Sequence, residues 1–167
     1  QQASSEAKQI GEASGNPHVV IIVDCALGRI FTEQGLLHQA AEIFAEALQI
    51  ATRPDGKRLT VAGEPFTELS QVSYELNDLE NAKEQVHSCL ALCRQGGQET
   101  FQAKGSIMLA RLELIQGNTK TAVESMNIAE KLTKEHHFAF KYSVWIRYGL
   151  LRLWIAQGNL EKASHIV

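Results

Sequence analysis

One turn recurs four times along this chain of 167 residues: Gln34-Gly35-Leu36-Leu37-His38-Gln39-Ala40, Asn77-Asp78-Leu79-Glu80-Asn81-Ala82, Gln116-Gly117-Asn118-Thr119-Lys120-Thr121-Ala122 and Gln157-Gly158-Asn159-Leu160-Glu161-Lys162-Ala163. Gly35, Asn77, Gly117 and Gly158 stand 42, 40 and 41 residues apart, and an Ala follows each of them five positions later. Glycine ends a helix because it enters left-handed backbone without a Cβ clash, and Asn tolerates that region where most side chains do not. Each echo therefore reads as one helix ending and another beginning. A period in this range predicts an all-α, right-handed superhelical solenoid of antiparallel helix pairs, each pair covering its neighbour's apolar face. Such an array presents a long concave surface suited to binding, whereas catalysis needs a converging polar site that the repeat alone does not supply.

Helical periodicity fills the intervals between the turns. Leu36 to Ala51 carries Ala40, Ile43, Phe44, Ala47, Leu48 and Ala51 as one apolar stripe, stopped by Pro54, Asp55 and Gly56. Val61 to Leu76 pairs with Leu79 to Arg94, and Glu99 to Gln116 pairs with Asn118 to Thr133, with Asn118 or Thr119 as N-cap. A fourth pair starts near His136 with an aromatic helix holding Phe138, Phe140, Tyr142, Trp145, Tyr148 and Trp154. Val19 to Val23 is β-branched and locally resembles a strand, but it runs into Leu27, Ile30 and Phe31 at helical spacing and takes a helix within the repeat frame. Residues 1–167 are read as a single repeat domain cut from a longer protein, with repeats at roughly 18–51, 60–95, 98–133 and 136–167 and the tail of a preceding repeat at 1–16, where Ala7, Ile10 and Ala13 share a face.

Composition narrows the function classes. A net charge of −3, from 16 basic and 19 acidic residues, leaves no surplus to neutralise a phosphate backbone, so no direct nucleic-acid binding is expected of this segment. The longest apolar run, Val19 to Val23, is far shorter than a bilayer requires, so no membrane span is expected. Three cysteines without an Asn-x-Ser/Thr acceptor fit a reducing cytoplasm. Cys89 and Cys93 share a helix side, but His87 points about 160° away from Cys89, so the pair is read as small core residues and no metal is expected. No nucleophile elbow or His-Glu-x-x-His pattern is present, and an enzyme is not expected.

The first full repeat resembles a tetratricopeptide repeat at Leu27-Gly28, Phe31, Gly35, Ala40, Phe44 and Ala47. In later copies Ser70, Ala110 and Leu151 take the place of Gly28, and Val86, Met126 and Val167 that of Phe44. A closer likeness runs through Leu27-Gly28-Arg29-Ile30, Glu33-Gln34-Gly35-Leu36-Leu37-His38-Gln39-Ala40-Ala41, Ala47-Leu48-Gln49, Ala62-Gly63, Tyr74-Glu75-Leu76-Asn77-Asp78-Leu79-Glu80-Asn81-Ala82 and Leu109-Ala110-Arg111. On these residues the chain resembles the helical repeat region of the MalT-like, ATP-dependent LuxR-type transcription regulators. The resemblance implies a sensor region between a nucleotide-binding module and a helix-turn-helix, and an inducer or a regulatory protein as partner. ATP belongs to the absent module: the segment holds no phosphate loop, since Gly56-Lys57-Arg58 lacks both the leading Gly and the hydroxyl residue, and no cofactor is expected in it.

In paired-helix solenoids the first helix of each pair lines the inner surface. The repeat frame then exposes Cys25, Arg29, Thr32 and Glu33; Thr67, Gln71, Tyr74 and Glu75; Lys104, Ile107, Arg111 and Leu114; and Trp145, Tyr148 and Arg152. From these, Arg29, Gln71, Tyr74, Glu75, Arg111, Trp145, Tyr148 and Arg152 are selected as candidate ligand- or partner-binding residues, because arginines beside aromatic rings supply planar donors and stacking faces. The expected function is a sensor domain binding an inducer or regulatory protein on the concave face. Its rival is a generic tetratricopeptide scaffold holding a peptide or helix, and self-association through terminal repeats is a third option.

Overall fold

The computed structural model describes residues 6, 9, 11, 13, 15–138 and 140–165, with the backbone alone for 140–142. From Pro17 onward, eight helices follow one another among the described residues: α1 (Pro17–Glu33), α2 (Leu37–Ile50), α3 (Gly63–Glu75), α4 (Leu79–Gly96), α5 (Glu99–Ile115), α6 (Thr119–Glu135), α7 (Phe140–Ala156) and α8 (Leu160–Ser164). A 3₁₀ turn at Thr60–Ala62 leads into α3. Consecutive helices pack as antiparallel pairs, and α1, α3, α5 and α7 also touch in series, so the odd helices form the inner layer of an all-α solenoid.

The four echoed turns share one geometry. Gly35, Asn77, Gly117 and Gly158 have φ of 75°, 61°, 79° and 72°, and Asn77 is the one non-glycine with positive φ among the described residues. After each, the next N–H reaches five residues back: Leu36 to Phe31, Asp78 to Ser73, Asn118 to Glu113 and Asn159 to Trp154, at 2.8–2.9 Å. This bond and the one from the left-handed residue to the carbonyl three before it make a Schellman cap, which satisfies carbonyls that the ending helix leaves open.

The β-branched run Val19 to Val23 lies inside α1. Asn16 accepts from the His18 N–H at 3.1 Å and Pro17 opens the first turn. Burial of Val20 and Ile21 then outweighs the weak strand preference of the run, and Ile22 remains 52% exposed. Packing also explains the repeat motif: a Cβ on Gly28 would sit 2.4 Å from the Phe44 ring, so only glycine admits that ring against α1. Ser70 with Val86 and Ala110 with Met126 fill the same place by a larger inner residue and a smaller outer one, all four buried. At Leu151 the partner position, Val167, lies outside the described residues, as do Ala7 and Ile10.

Several positions differ from the sequence reading. Cys25, Thr67, Lys104 and Ile107, expected on the exposed inner face, are buried because adjacent inner helices pack flank to flank over them. Asn118 stands at the N-cap of α6, but its side chain donates to Glu113 Oε2 at 2.7 Å instead of capping. His136 and His137 do not start a helix: His136 is the extended residue that ends α6, and both side chains are exposed. Cys89 and Cys93 are buried free thiols with sulfurs 3.7 Å apart, and Thr67 Oγ1 lies 3.2 Å from Cys89 Sγ.

Candidate functional site

Arg29, Gln71, Arg111 and Arg152 each stand six residues before their turn residue, and Glu33 and Glu75 stand two before theirs. The repeat therefore converts a spacing in sequence into columns along the inner helices. These columns border a cavity of about 470 Å³ whose walls come from α1, α3, α5 and α7, with Gly35 and Leu37 of the first turn at one end. Seven selected residues line it: Arg29, Gln71, Glu75, Arg111, Trp145, Tyr148 and Arg152. Tyr74, the eighth, stays behind the wall, with the Arg111 guanidinium 4.1 Å over its ring.

A buried ionic ladder forms the floor. Arg29 Nη1 on α1 lies 2.8 Å from Glu64 Oε1 and 3.3 Å from Glu68 Oε1, both on α3. Lys104 Nζ on α5 is 2.7 Å from Glu68 Oε1 and 4.9 Å from the Trp145 ring centroid on α7. Burial by itself would raise the Glu68 carboxyl, but Lys104 and then Arg29 hold it below its ordinary value. The neighbouring Cys25 thiol is pushed up, first by burial and then by Glu64 and Glu68, so it stays protonated.

A second rung joins α3 and α5. Arg111 donates to Gln71 Oε1 at 2.9 Å and approaches Glu75 Oε1 at 3.9 Å, while Gln71 donates to Glu75. This fixes the guanidinium plane on the Tyr74 ring, with one edge toward the cavity. On α7, Tyr148 is 57% exposed and Arg152 lies 5.7 Å over its ring, with no carboxylate in ion-pair distance among the described residues. Gly149 completes that wall because a Cβ there would meet Ile107 Cγ2 at 2.7 Å.

The selection by residue type missed Glu68, the hub of the ladder, and Gly149. Glu64 and Glu68 are four apart, on the helix face that continues through Gln71 and Glu75, and that spacing was the available signal. Among the described residues no group of three or more His, Cys, Asp or Glu is placed to hold a metal ion, and no helix is long and apolar enough to cross a membrane.

The family described as the MalT-like TPR region matches residues 1–167, the whole chain. The chain belongs to the MalT-like TPR family. As a MalT-like TPR region it is a helical-repeat domain of the regulatory or interaction kind. No curated protein matches it. Among solved structures it is similar to BtubC (BKLC) from P. vanneervenii, with a TM-score of 0.68 and 17% identity over 91% of this chain. The match spans 62% of the BtubC chain, and at that identity it shows the shared solenoid fold alone.

Proposed function

We propose that this MalT-like TPR region is the sensor module of a cytoplasmic LuxR-type transcription regulator, and that its inner cavity binds an inducer or a regulatory protein that controls the parent. One observation carries the reading: all four inner helices contribute side chains to a single cavity of about 470 Å³, a volume within the range of small-ligand sites. A molecule touching α1, α3, α5 and α7 together contacts the solenoid wherever its curvature changes, so it binds one curvature better than another. That differential affinity is what a sensor requires in order to shift its parent between resting and active states. Arg111, held by Tyr74 and Gln71, and Arg152 beside Tyr148 supply directional donors and a stacking face for the ligand.

A thermal-shift screen of oligosaccharides, amino acids and short peptides on the chain tests this reading, because a ligand that prefers the folded state raises the melting temperature. At least one hit is expected, lost in Tyr148→Ala and in Arg111→Ala while both variants stay folded. Hits indifferent to both substitutions would place binding elsewhere and overturn the site. Hits confined to peptides, in a parent lacking a helix-turn-helix, would return the domain to a scaffold role.

A further inference from the structure

The charges lining the cavity are sorted by helix. Its carboxylates, Glu33, Glu68 and Glu75, all come from α1 and α3, whereas α5 and α7 contribute only the cations Lys104, Arg111 and Arg152. Arg29 is the single lining cation on the acidic side, and Glu64 and Glu68 hold it. Glu68 also engages Lys104, and Glu75 faces Arg111 across the second rung.

Once these pairs are matched, one lining charge of each sign is left over. Glu33, at the C-terminal end of α1, is exposed, and no hydrogen bond or ion pair ties its carboxylate among the described residues. Its backbone position adds to the negative potential, because carbonyls at a helix C-terminus point the same sign of charge outward. Arg152 on α7, in the fourth inner helix, is exposed and lies over the Tyr148 ring, with no carboxylate in ion-pair distance among the described residues. The intervening floor is internally neutralised, so a ligand lying across it meets a negative end, a matched middle and a positive end.

We infer that the ligand of this cavity is a short zwitterionic peptide with both termini free, its ammonium at Glu33 and its carboxylate at Arg152, since the charges of a single amino acid sit too close together to reach across the helices between them. The inference rests on the sensor reading above and adds the chemical class of its ligand. A neutral ligand can hydrogen-bond at either end but gains no charge-to-charge attraction there. A simple anion gains only from Arg152 and is repelled by Glu33, whereas a zwitterion makes a charge-assisted hydrogen bond at each end in one fixed polarity. The exposed Tyr148 ring beside Arg152 stacks against whatever planar group precedes the carboxylate, including a peptide bond.

The experiment uses trialanine with free termini and its N-acetylated and C-amidated forms, each titrated into the chain and followed by amide NMR shifts, with maltotriose as the neutral comparison. Blocking either terminus is expected to weaken binding about tenfold, the equivalent of one charge-assisted hydrogen bond. In Glu33→Gln the N-acetyl block should cost little further, and in Arg152→Gln the C-amide block should cost little further. Both side chains are exposed, so neither variant is expected to unfold the chain. Equal binding of blocked and free trialanine overturns the assignment. Maltotriose binding in the cavity, unaffected by Glu33→Gln and Arg152→Gln, overturns the zwitterion class and leaves the sensor reading standing. Absence of shifts at cavity residues with every probe overturns both.

Discussion

Lys104 Nζ lies 2.7 Å from Glu68 Oε1, joining two consecutive inner helices through side chains that are 4% and 10% exposed. A buried pair of this kind adds little over an apolar pair of the same shape, because desolvation offsets most of the attraction. Its effect is on register. With Arg29 on the same carboxylate oxygen, Glu68 aligns α1, α3 and α5 beneath the cavity, and removing one member strands a buried charge. Glu68→Ala should therefore destabilise the fold by about 3–5 kcal/mol, read from urea unfolding. A loss under about 1 kcal/mol would mean that the ladder is solvated in solution.

The same carboxyl sets a pH dependence. In the folded chain Glu68 is held below its unfolded value by Lys104 and Arg29 against the opposing effect of burial. A depressed carboxyl contributes stability that is fully present above the unfolded pKa of about 4.3 and is lost as pH falls through the folded value. Glu113, held down by Lys83 against a smaller burial effect and with help from Asn118, acts in the same direction. Melting temperatures should thus fall steeply below about pH 4.3, and Glu68→Gln should flatten that fall while lowering stability at neutral pH. An unchanged acid limb in the variant would assign the loss to other carboxyls.

Gly28→Ala brings a Cβ to 2.4 Å from the Phe44 ring. Overpacking of this kind should cost about 1–3 kcal/mol. Adding Phe44→Leu, which frees volume at the contact, should recover part of that loss, so the two changes combine to less than their sum. Simple additivity in a double-mutant cycle would show that the ring moves aside unaided.

Asn77 holds the left-handed position that glycine holds in the other three turns. Asn77→Gly should be neutral or stabilise by up to about 1 kcal/mol, whereas Gly117→Ala, with φ of 79°, should cost about 1 kcal/mol. Thermal denaturation of the two variants in parallel checks the sign of each, and equal effects would contradict equivalent caps.

All three cysteines are free and fully buried. In the native chain Ellman's reagent should label none of them within minutes, and all three should react once guanidinium unfolds it. Fast labelling of Cys89 or Cys93 without denaturant would show that α4 opens locally.

The turn residues, the apolar stripes and the MalT-like likeness were legible in the sequence because helix periodicity and left-handed caps are local properties: Gly35, Asn77, Gly117 and Gly158 need no distant partner to be recognised. The columns through Arg29, Gln71, Arg111 and Arg152 were legible for the same reason, since a fixed offset from each turn places them on the same helix face. Tertiary structure alone decided which members of that face see the cavity. Cys25 and Thr67 share the inner helices but fall on flanks where the next helix packs, whereas Lys104 and Ile107, buried on such flanks too, still line the cavity, and Glu68 became a hub only because Arg29 and Lys104 arrive from helices 39 and 36 residues away. Those contacts depend on how closely neighbouring repeats approach and on the twist between them, quantities set by side-chain volumes on both sides of each interface, which no single helix carries in its own pattern.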